Sequence, residues 1–238
     1  MPPTSQFVSN GGNQIHSTAV VGASVRLGTG NVVGPGVVLA GSIVIGDGNW
    51  FGAHVVIGCP PEVRGFPHTA DWIDTAEGQG VVIGHACVFR EGSQVHTGWH
   101  DQTVVGDDVF LMNQVYIAHD CQLADGVTMA SNVAVGGHVH VGLRANLGLG
   151  TVVHQRRTIG ALAMVGMGSV VTHDVPPFVK AFGNPCRVKG TNSVGMERAG
   201  ISAESVRQVE EAVARGEIPT DMGCADLAPF VAIGGLSR

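Results

Sequence analysis

The stretch from Val105 to Val135 reads VGDDVFLMNQVYIAHDCQLADGVTMASNVAV, with an apolar residue at every sixth position. These positions are Val105, Leu111, Ile117, Leu123, Met129 and Val135. A period of six matches neither the 3.6-residue period of a helix nor the two-residue alternation of a half-buried strand. It is typical of a short strand followed by a tight turn, with one side chain of each unit pointing into a shared core.

The same spacing extends through most of the chain, over residues 15–57, 83–95 and 105–171. Glycine follows many of the apolar positions, as at Gly22, Gly28 and Gly34, and lets the backbone turn a corner without a Cβ clash. Three units close one triangular coil of 18 residues, and stacked coils pair in parallel. The pattern predicts an all-β solenoid, because a β-sandwich would match this spacing only by coincidence.

Two insertions interrupt the repeat, at about residues 58–82 and 97–104. Insertions as long as the first are usually functional. After the last repeat, Pro176-Pro177 mark a change of structure, and an irregular segment is expected as far as Ile201. Ser202 is expected to N-cap a helix that reaches about Arg215. We therefore divide the chain into a β-helix, residues 1–175, and a tail, residues 176–238, with one or two helices.

Charge and composition exclude several classes of protein. The net charge is −6, and the only tight basic pair, Arg156-Arg157, is too small for a nucleic-acid-binding face. The five cysteines are odd in number and contain no C-x-x-C motif, which favours reduced thiols. The opening MPPTSQFVSN lacks an apolar signal core, and no long apolar run follows. The sequence predicts a cytoplasmic protein without a transmembrane segment.

Five histidines follow one face of the predicted triangle on successive coils: His96, His119, His138, His154 and His173. The long insertion leaves the solenoid from the same edge. Neighbouring coils lie about 4.8 Å apart, the spacing of paired strands, so His119 and His138 can bracket a small substrate group. The alternative is a set of surface histidines at turns that tolerate polar residues. The alignment beneath a long loop favours a site.

Imidazole is the commonest general base near neutral pH. Acyl transfer from a thioester to a hydroxyl needs such a base, together with hydrogen-bond donors for the tetrahedral oxyanion. Gly136-Gly137 precede His138 and allow a backbone N–H to approach a ligand closely. No G-x-S-x-G motif is present, so direct transfer is favoured over a covalent serine intermediate.

Several motifs resemble one family in order along the chain: IAHDC (residues 117–121), AVGGHVHVG, VVHQ (residues 152–155), DVPPFV and GNPCRVKGTNSVGMERAGIS. This is the acyl-carrier-protein-dependent UDP-N-acetylglucosamine O-acyltransferase family of lipid A synthesis. The resemblance implies a left-handed parallel β-helix with a small α-helical C-terminal region. It also implies a homotrimer with clefts between subunits. The co-substrate is an acyl-carrier-protein or CoA thioester, with no further cofactor and no metal.

The resemblance also implies roles for individual residues. His119 is the general base, Asp120 orients it, and Gly137 supplies the oxyanion N–H. The remaining substrate-binding residues line the cleft (His96, His138, His154 and Gln155), the long loop (Glu62 and Arg64) and the nucleotide-binding tail (Asn192 and Arg198).

The chain departs from the family pattern at four positions. Tyr116 stands where a histidine is usual, and Val194 and Ala199 replace an acidic residue and a second arginine in the tail. The acceptor is therefore UDP-N-acetylglucosamine, another nucleotide sugar, or an amino sugar without UDP. Met167 replaces a glycine of some members at the end of the acyl groove, which predicts a short or medium acyl chain.

Two other reaction types compete with O-acylation. One is N-acylation of an amino sugar or another acceptor. The other, less favoured, is the chemistry of a zinc carbonic anhydrase built on the same β-helix, in which histidines of two subunits bind metal. The sequence lacks the closely spaced histidine pair of that second family.

Overall fold

The computed structural model describes residues 7–75, 77–219 and 224–231. Before the long insertion, the strands are β1 (Phe7–Asn10), β2 (Asn13–His16), β3 (Val20–Val21), β4 (Val25–Leu27), β5 (Val32–Val33), β6 (Val38–Leu39), β7 (Ile43–Ile45), β8 (Trp50–Phe51) and β9 (Val56–Cys59). Between the insertions lie β10 (Val81–Ile83), β11 (Val88–Phe89) and β12 (Gln94–His96).

The uninterrupted part of the repeat follows. It contains β13 (Thr103–Val105), β14 (Phe110–Leu111), β15 (Tyr116–Ile117), β16 (Gln122–Leu123), β17 (Thr128–Met129), β18 (Ala134–Val135), β19 (His140–Val141), β20 (Asn146–Leu147), β21 (Val152–Val153), β22 (Thr158–Ile159), β23 (Met164–Val165) and β24 (Val170–Val171). The tail contains β25 (Val179–Phe182), β26 (Arg187–Thr191), α1 (Ser193–Arg198), α2 (Ala203–Ala214) and α3 (Ala228–Val231).

Strands three apart in sequence pair in parallel and form three sheets. Sheet A runs from β1 through β2, β5, β8 and every third strand to β23, and ends with β25 and β26. Sheet B contains β3 to β24, and sheet C contains β4 to β22, again taking every third strand. The register pairs Ile117 with Val135 and Val135 with Val153, which confirms the 18-residue coil.

One side chain of each six-residue unit fills the core. Leu111 and Ile117 are fully buried, and the rings of Phe51 and Phe89 stack with their centroids 5.0 Å apart. Where a glycine follows the apolar residue, as at Gly34, the next coil leaves no room for a Cβ. A Cβ built on Gly34 would lie 2.7 Å from the carbonyl oxygen of Phe51. The sequence argument about Cβ clashes is therefore confirmed.

Both insertions leave the solenoid at the corner that joins sheet B to sheet C, here called the B–C corner. The long loop folds back along this corner over the N-terminal coils. The Ala23 N–H donates to the Asp74 carboxylate over 2.9 Å, and the Gly41 N–H donates to the Ile73 carbonyl over 2.8 Å. The shorter loop, residues 97–102, follows one coil later at the same corner.

The tail begins with an ordered hairpin, so the expectation of an irregular segment up to Ile201 is wrong. β25 pairs in parallel with β23, and β26 returns antiparallel to β25, because a free sheet edge offers hydrogen bonds that these residues satisfy. Ser202 N-caps α2 as predicted. α3 includes Pro229, and residues 220–223 and 232–238 lie outside the described part. No described helix is long and apolar enough to cross a membrane.

The helical tail packs at a different corner from the histidines. Met196 and Val209 form an apolar cluster with Ala161 and Leu162, which lie between β22 of sheet C and β23 of sheet A. The tail therefore covers the C–A corner, and the B–C corner is left to the two insertions.

Truncation of a stacked core ring tests this packing. Phe89→Ala should lower the free energy of unfolding by about 3–5 kcal/mol, because it leaves a cavity beside Phe51. Val44→Ala, at a 47% exposed position on the outer face of sheet C, is the control and should change it by less than about 0.5 kcal/mol. Urea titration of both variants measures the difference, and equal losses would contradict the described core.

Candidate active site

His119 and Asp120 lie at the B–C corner, directly after β15. Asp120 has a φ of 60°, in the left-handed region, so the two side chains are not held on opposite faces as in a regular strand. His119 Nδ1 lies 2.5 Å from Asp120 Oδ2. Because an ionised carboxylate only accepts hydrogen bonds, Nδ1 carries the proton and Nε2 of a neutral ring is left as an acceptor.

The second oxygen of Asp120 is satisfied by the short loop. Oδ1 accepts hydrogen bonds from the backbone N–H groups of Trp99, His100 and Asp101 over 3.0, 2.8 and 2.7 Å. The Asp120 N–H donates to the Thr103 hydroxyl over 2.9 Å. One buried carboxylate therefore fixes both the histidine and the loop that covers it.

These contacts keep Asp120 ionised. Burial raises the pKa of the carboxyl group, but the hydrogen bonds from Asp101, His119 and His100 and the charge of His138 together hold the pKa below its usual value. A carboxylate that accepts several N–H bonds commonly behaves in this way.

His138 lies one coil further on, with its ring centroid 5.2 Å from that of His119 and nearly perpendicular to it. Its Nε2 lies 3.6 Å from Asp120 Oδ2. Burial lowers the pKa of His138. Asp120 opposes this shift, and the charges of Arg156, His119 and His100 add to it. His138 therefore favours its neutral form, and the two imidazoles can bracket a small group as expected from the coil spacing.

Gly137 lies directly beneath the His119 ring. A Cβ at this position would lie 2.7 Å from Cε1 and 2.8 Å from Nε2 of His119, so only glycine leaves room for the imidazole. The Gly137 N–H donates no hydrogen bond to any of the described residues. A backbone donor without a partner beside the free Nε2 is suited to stabilise an oxyanion.

His96 and Glu62 form a second pair that joins the long loop to the solenoid. His96 Nδ1 lies 2.8 Å from the Pro60 carbonyl oxygen and donates to it. Nε2 lies 3.2 Å from Glu62 Oε1, outside hydrogen-bond angles. The ring centroid of Tyr116 lies 5.3 Å from that of His96. The hydrogen bond from His96 to Pro60 therefore fixes the beginning of the long loop.

The other predicted residues at the B–C corner are exposed and less constrained. His154 and Gln155 lie one coil beyond His138, and Arg64 lies on the long loop. His173, the last histidine of the predicted ladder, contacts only the Thr172 hydroxyl, over 3.0 Å, among the described residues. The ladder thus consists of the paired His119 and His138, the buried His96 one coil before them, and exposed members beyond.

The structure places Met167, Asn192 and Arg198 away from this corner. Met167 is 74% exposed and lies between sheet A and sheet B. Both polar atoms of the Asn192 amide make internal hydrogen bonds, since Nδ2 donates to Leu162 and Oδ1 N-caps α1. Arg198 is exposed at the end of α1. Within one chain these three residues do not join His119.

Sequence reasoning did not assign a role to the short loop. Trp99 packs edge-on against the buried Phe66 of the long loop, with ring centroids 5.2 Å apart. His100 stacks on His138, with centroids 6.1 Å apart and planes at 17°. A sequence signal did exist, because the insertion lies one coil before His119 at the same corner.

His119, Asp120 and His138 also offer atoms within 4.8 Å of one another that could hold a metal ion. Two imidazoles and a carboxylate are suitable ligands for Zn²⁺. However, Asp120 Oδ1 is occupied by three N–H groups, and Oδ2 already accepts from His119. A metal would have to replace the hydrogen bond that orients His119, so the donor set fits an acid–base pair better.

The lowered pKa of Asp120 predicts a pH dependence of stability. The ionised carboxylate stabilises the folded state fully above its unfolded pKa, close to the ordinary aspartate value of 3.8, and this contribution is lost as the pH falls through the lower folded pKa. Asp120→Asn should therefore be less stable than the natural chain at neutral pH, and the gap should narrow below about pH 4. Urea unfolding between neutral and acid pH measures it. A gap that stays constant with pH would contradict the assignment.

Comparisons with known proteins agree with the motifs. The family model described as "Udp N-acetylglucosamine O-acyltransferase; Domain 2" matches residues 174–215, and the bacterial transferase hexapeptide model matches residues 102–137. The acyl-[acyl-carrier-protein]–UDP-N-acetylglucosamine O-acyltransferase of Stutzerimonas stutzeri is 34% identical over 158 residues, which cover 64% of this chain and 61% of that protein. The chain thus spans about three fifths of the length of the curated relatives that it matches.

Solved structures extend the similarity over more of the chain. The protein titled LpxA from Acinetobacter baumannii is 29% identical, with a TM-score of 0.67 over 86% of this chain and 82% of the other. The UDP-N-acetylglucosamine acyltransferase of Francisella novicida is 26% identical, with a TM-score of 0.70 over 94% and 92%. The predicted left-handed β-helix of hexapeptide repeats, with its small helical C-terminal region, is confirmed. The resemblance read from the motifs is confirmed as well, since this chain has homologues named acyl-[acyl-carrier-protein]–UDP-N-acetylglucosamine O-acyltransferases, matches the domain model of that enzyme, and shares the fold of its solved structures.

Proposed function

We propose that the protein is an O-acyltransferase. It moves an acyl chain from an acyl-carrier-protein or CoA thioester to a hydroxyl of UDP-N-acetylglucosamine or a related nucleotide or amino sugar. The observation that carries the proposal is the His119 imidazole, whose Nδ1 is bound to Asp120 and whose Nε2 lies over Gly137. The names of the curated relatives support the same donor and acceptor.

His119 Nε2 removes the proton of the acceptor hydroxyl as its oxygen attacks the thioester carbonyl. The Asp120 carboxylate stabilises the imidazolium that forms and keeps the ring in the required tautomer. The Gly137 N–H donates to the oxyanion of the tetrahedral intermediate. Collapse of this intermediate breaks the C–S bond, and the thiolate takes the proton back from His119.

The cysteine thiols do not suit a covalent route. Burial raises the pKa of Cys59, at the end of β9, to about 11, and it raises the pKa of Cys121 as well. A thiol with such a pKa is almost entirely protonated near neutral pH and is a poor nucleophile. These two thiols therefore favour direct transfer to the acceptor over an acyl-cysteine intermediate.

A homotrimer explains why the predicted substrate-binding residues lie on different corners. Asn192 and Arg198 lie beside the C–A corner, whereas His119 lies at the B–C corner. A second copy of the chain can bring its C–A corner and tail toward the first copy's histidines, which completes a cleft between subunits. The cytoplasmic location expected from the sequence is part of the same proposal.

N-acylation of an amino sugar is the second candidate. The observations that favour it are Val194 and Ala199, which offer neither the charge nor the hydrogen bonds that the family tail uses. A neutral amine and a hydroxyl make the same demand on His119, so the site chemistry alone fits both acceptors.

Removal of the general base gives the first test. His119→Ala should lower kcat roughly 10²–10⁴-fold, because it removes the proton acceptor. His173→Ala, an exposed histidine outside the cluster, is the matched control and should keep the natural rate. Both are assayed on a panel of thioesters against UDP-N-acetylglucosamine, free glucosamine and other amino sugars. Near-natural turnover by His119→Ala, or one zinc per subunit in the active protein, would contradict the mechanism.

Met167→Gly tests the length of the acyl groove. The exposed thioether should shorten the groove, so glycine should raise kcat/KM for long relative to short acyl thioesters by about tenfold or more. Leu149→Gly, at the 49% exposed position one coil earlier, is the control. An unchanged chain-length profile would show that Met167 does not limit the groove.

A further inference from the structure

His100, His138 and Arg156 form a short row of nitrogen-bearing side chains at the B–C corner. Asp120, His138 and Arg156 are 18 residues apart and share a left-handed φ of 60°, 58° and 59°. The His138 N–H donates to the His119 carbonyl, and the Arg156 N–H donates to the Gly137 carbonyl. These equivalent positions place the Cα atoms of successive coils about 4.8 Å apart. Along the corner, His138 therefore lies between Asp120 on the preceding coil and Arg156 on the following coil.

His100 reaches His138 from the other direction. The three N–H bonds to Asp120 hold the main chain of residues 99–101, and Trp99 packs against Phe66, so the loop is fixed independently of the His100 side chain. The exposed His100 ring stacks on His138 and makes no hydrogen bond to any residue that the structure describes. Its polar atoms are therefore available to a ligand.

The Arg156 guanidinium is also available. It is exposed and forms no ion pair with the described residues, whereas its neighbour Arg157 lies 3.3 Å from Asp174. The charges of Arg156 and His100 both lower the pKa of His138, which is consistent with their proximity to its ring. Asp120 lies at the other end of the row, beside His138, and its oxygens already accept hydrogen bonds from the loop N–H groups and from His119.

We propose that His100 and Arg156, on either side of His138, form a phosphate-binding subsite beside the acyl-transfer centre. Arginine binds phosphate through paired N–H donors, and an imidazole adds a further donor. The inference rests on the proposed function, which supplies two phosphate sources. One is the diphosphate of a nucleotide-sugar acceptor, and the other is the phosphate of a phosphopantetheine donor.

The test measures ligand binding by the intact protein without turnover. Calorimetry compares UDP with uridine and 4′-phosphopantetheine with pantetheine, because the members of each pair differ in their phosphate groups. Arg156→Met and His100→Ala should each weaken the binding of one phosphorylated member by about tenfold, as expected for a charge-assisted hydrogen bond. Uridine and pantetheine should be unaffected. The control is Arg157→Met, which removes a neighbouring, ion-paired arginine.

Loss of UDP affinity assigns the subsite to the acceptor, and loss of phosphopantetheine affinity assigns it to the donor. Either result supports the subsite. Unchanged affinities, an equal effect of Arg157→Met, or failure of the natural protein to bind either phosphorylated ligand overturns it. If binding responds as expected but the thioester panel shows no transfer, the proposed function fails and the subsite stands.

Discussion

The 18-residue coil is the constraint on which the rest of the structure depends. Each strand donates its N–H groups to the coil that follows and can do so only if every coil returns to the same register. A strand of two or three residues cannot absorb an extra residue without losing these bonds. Insertions are therefore confined to corners, and the long loop and the short loop both occur at the B–C corner. The same rule that makes the solenoid uniform thus concentrates its irregular segments along the edge that carries the candidate site.

The left-handed backbone at the corner is strained, and the same backbone brings the side chains of the candidate site together. Asp120, His138 and Arg156 adopt a left-handed φ although none is glycine, which costs on the order of 1–3 kcal/mol each. The stacked backbone bonds above and below hold them there. In return, adjacent side chains such as those of His119 and Asp120 converge on one side of the chain. The short hydrogen bond between them is a product of the corner, since a regular strand would separate the two groups.

The sequence predicted most of the solenoid and the placement of the central residues of the candidate site, because both follow from counting in units of 18. Placing His119 and His138 on neighbouring coils needed only the repeat, and the roles of Asp120 and Gly137 came from the resemblance. The tail hairpin was missed because β25 and β26 pair with a sheet edge that no local pattern reveals. The N–H groups that bind Asp120 were missed as well, because the path of an insertion is not periodic.

The repeat and the short loop hold the candidate site without the tail, which bears on how the proposed enzyme would select its acceptor. His119, Asp120 and Gly137 are held by the coil register and by the short loop, and none of them contacts the part of the tail that the structure describes. Under the proposed function, replacement of tail residues, as at Val194 and Ala199, would change the acceptor without disturbing His119. Asn192 cannot be replaced as freely, because its amide caps α1 and donates to the Leu162 carbonyl. An asparagine that stabilises the tail would be retained even in a protein whose acceptor had changed, so its presence argues for the fold of the tail more strongly than for UDP.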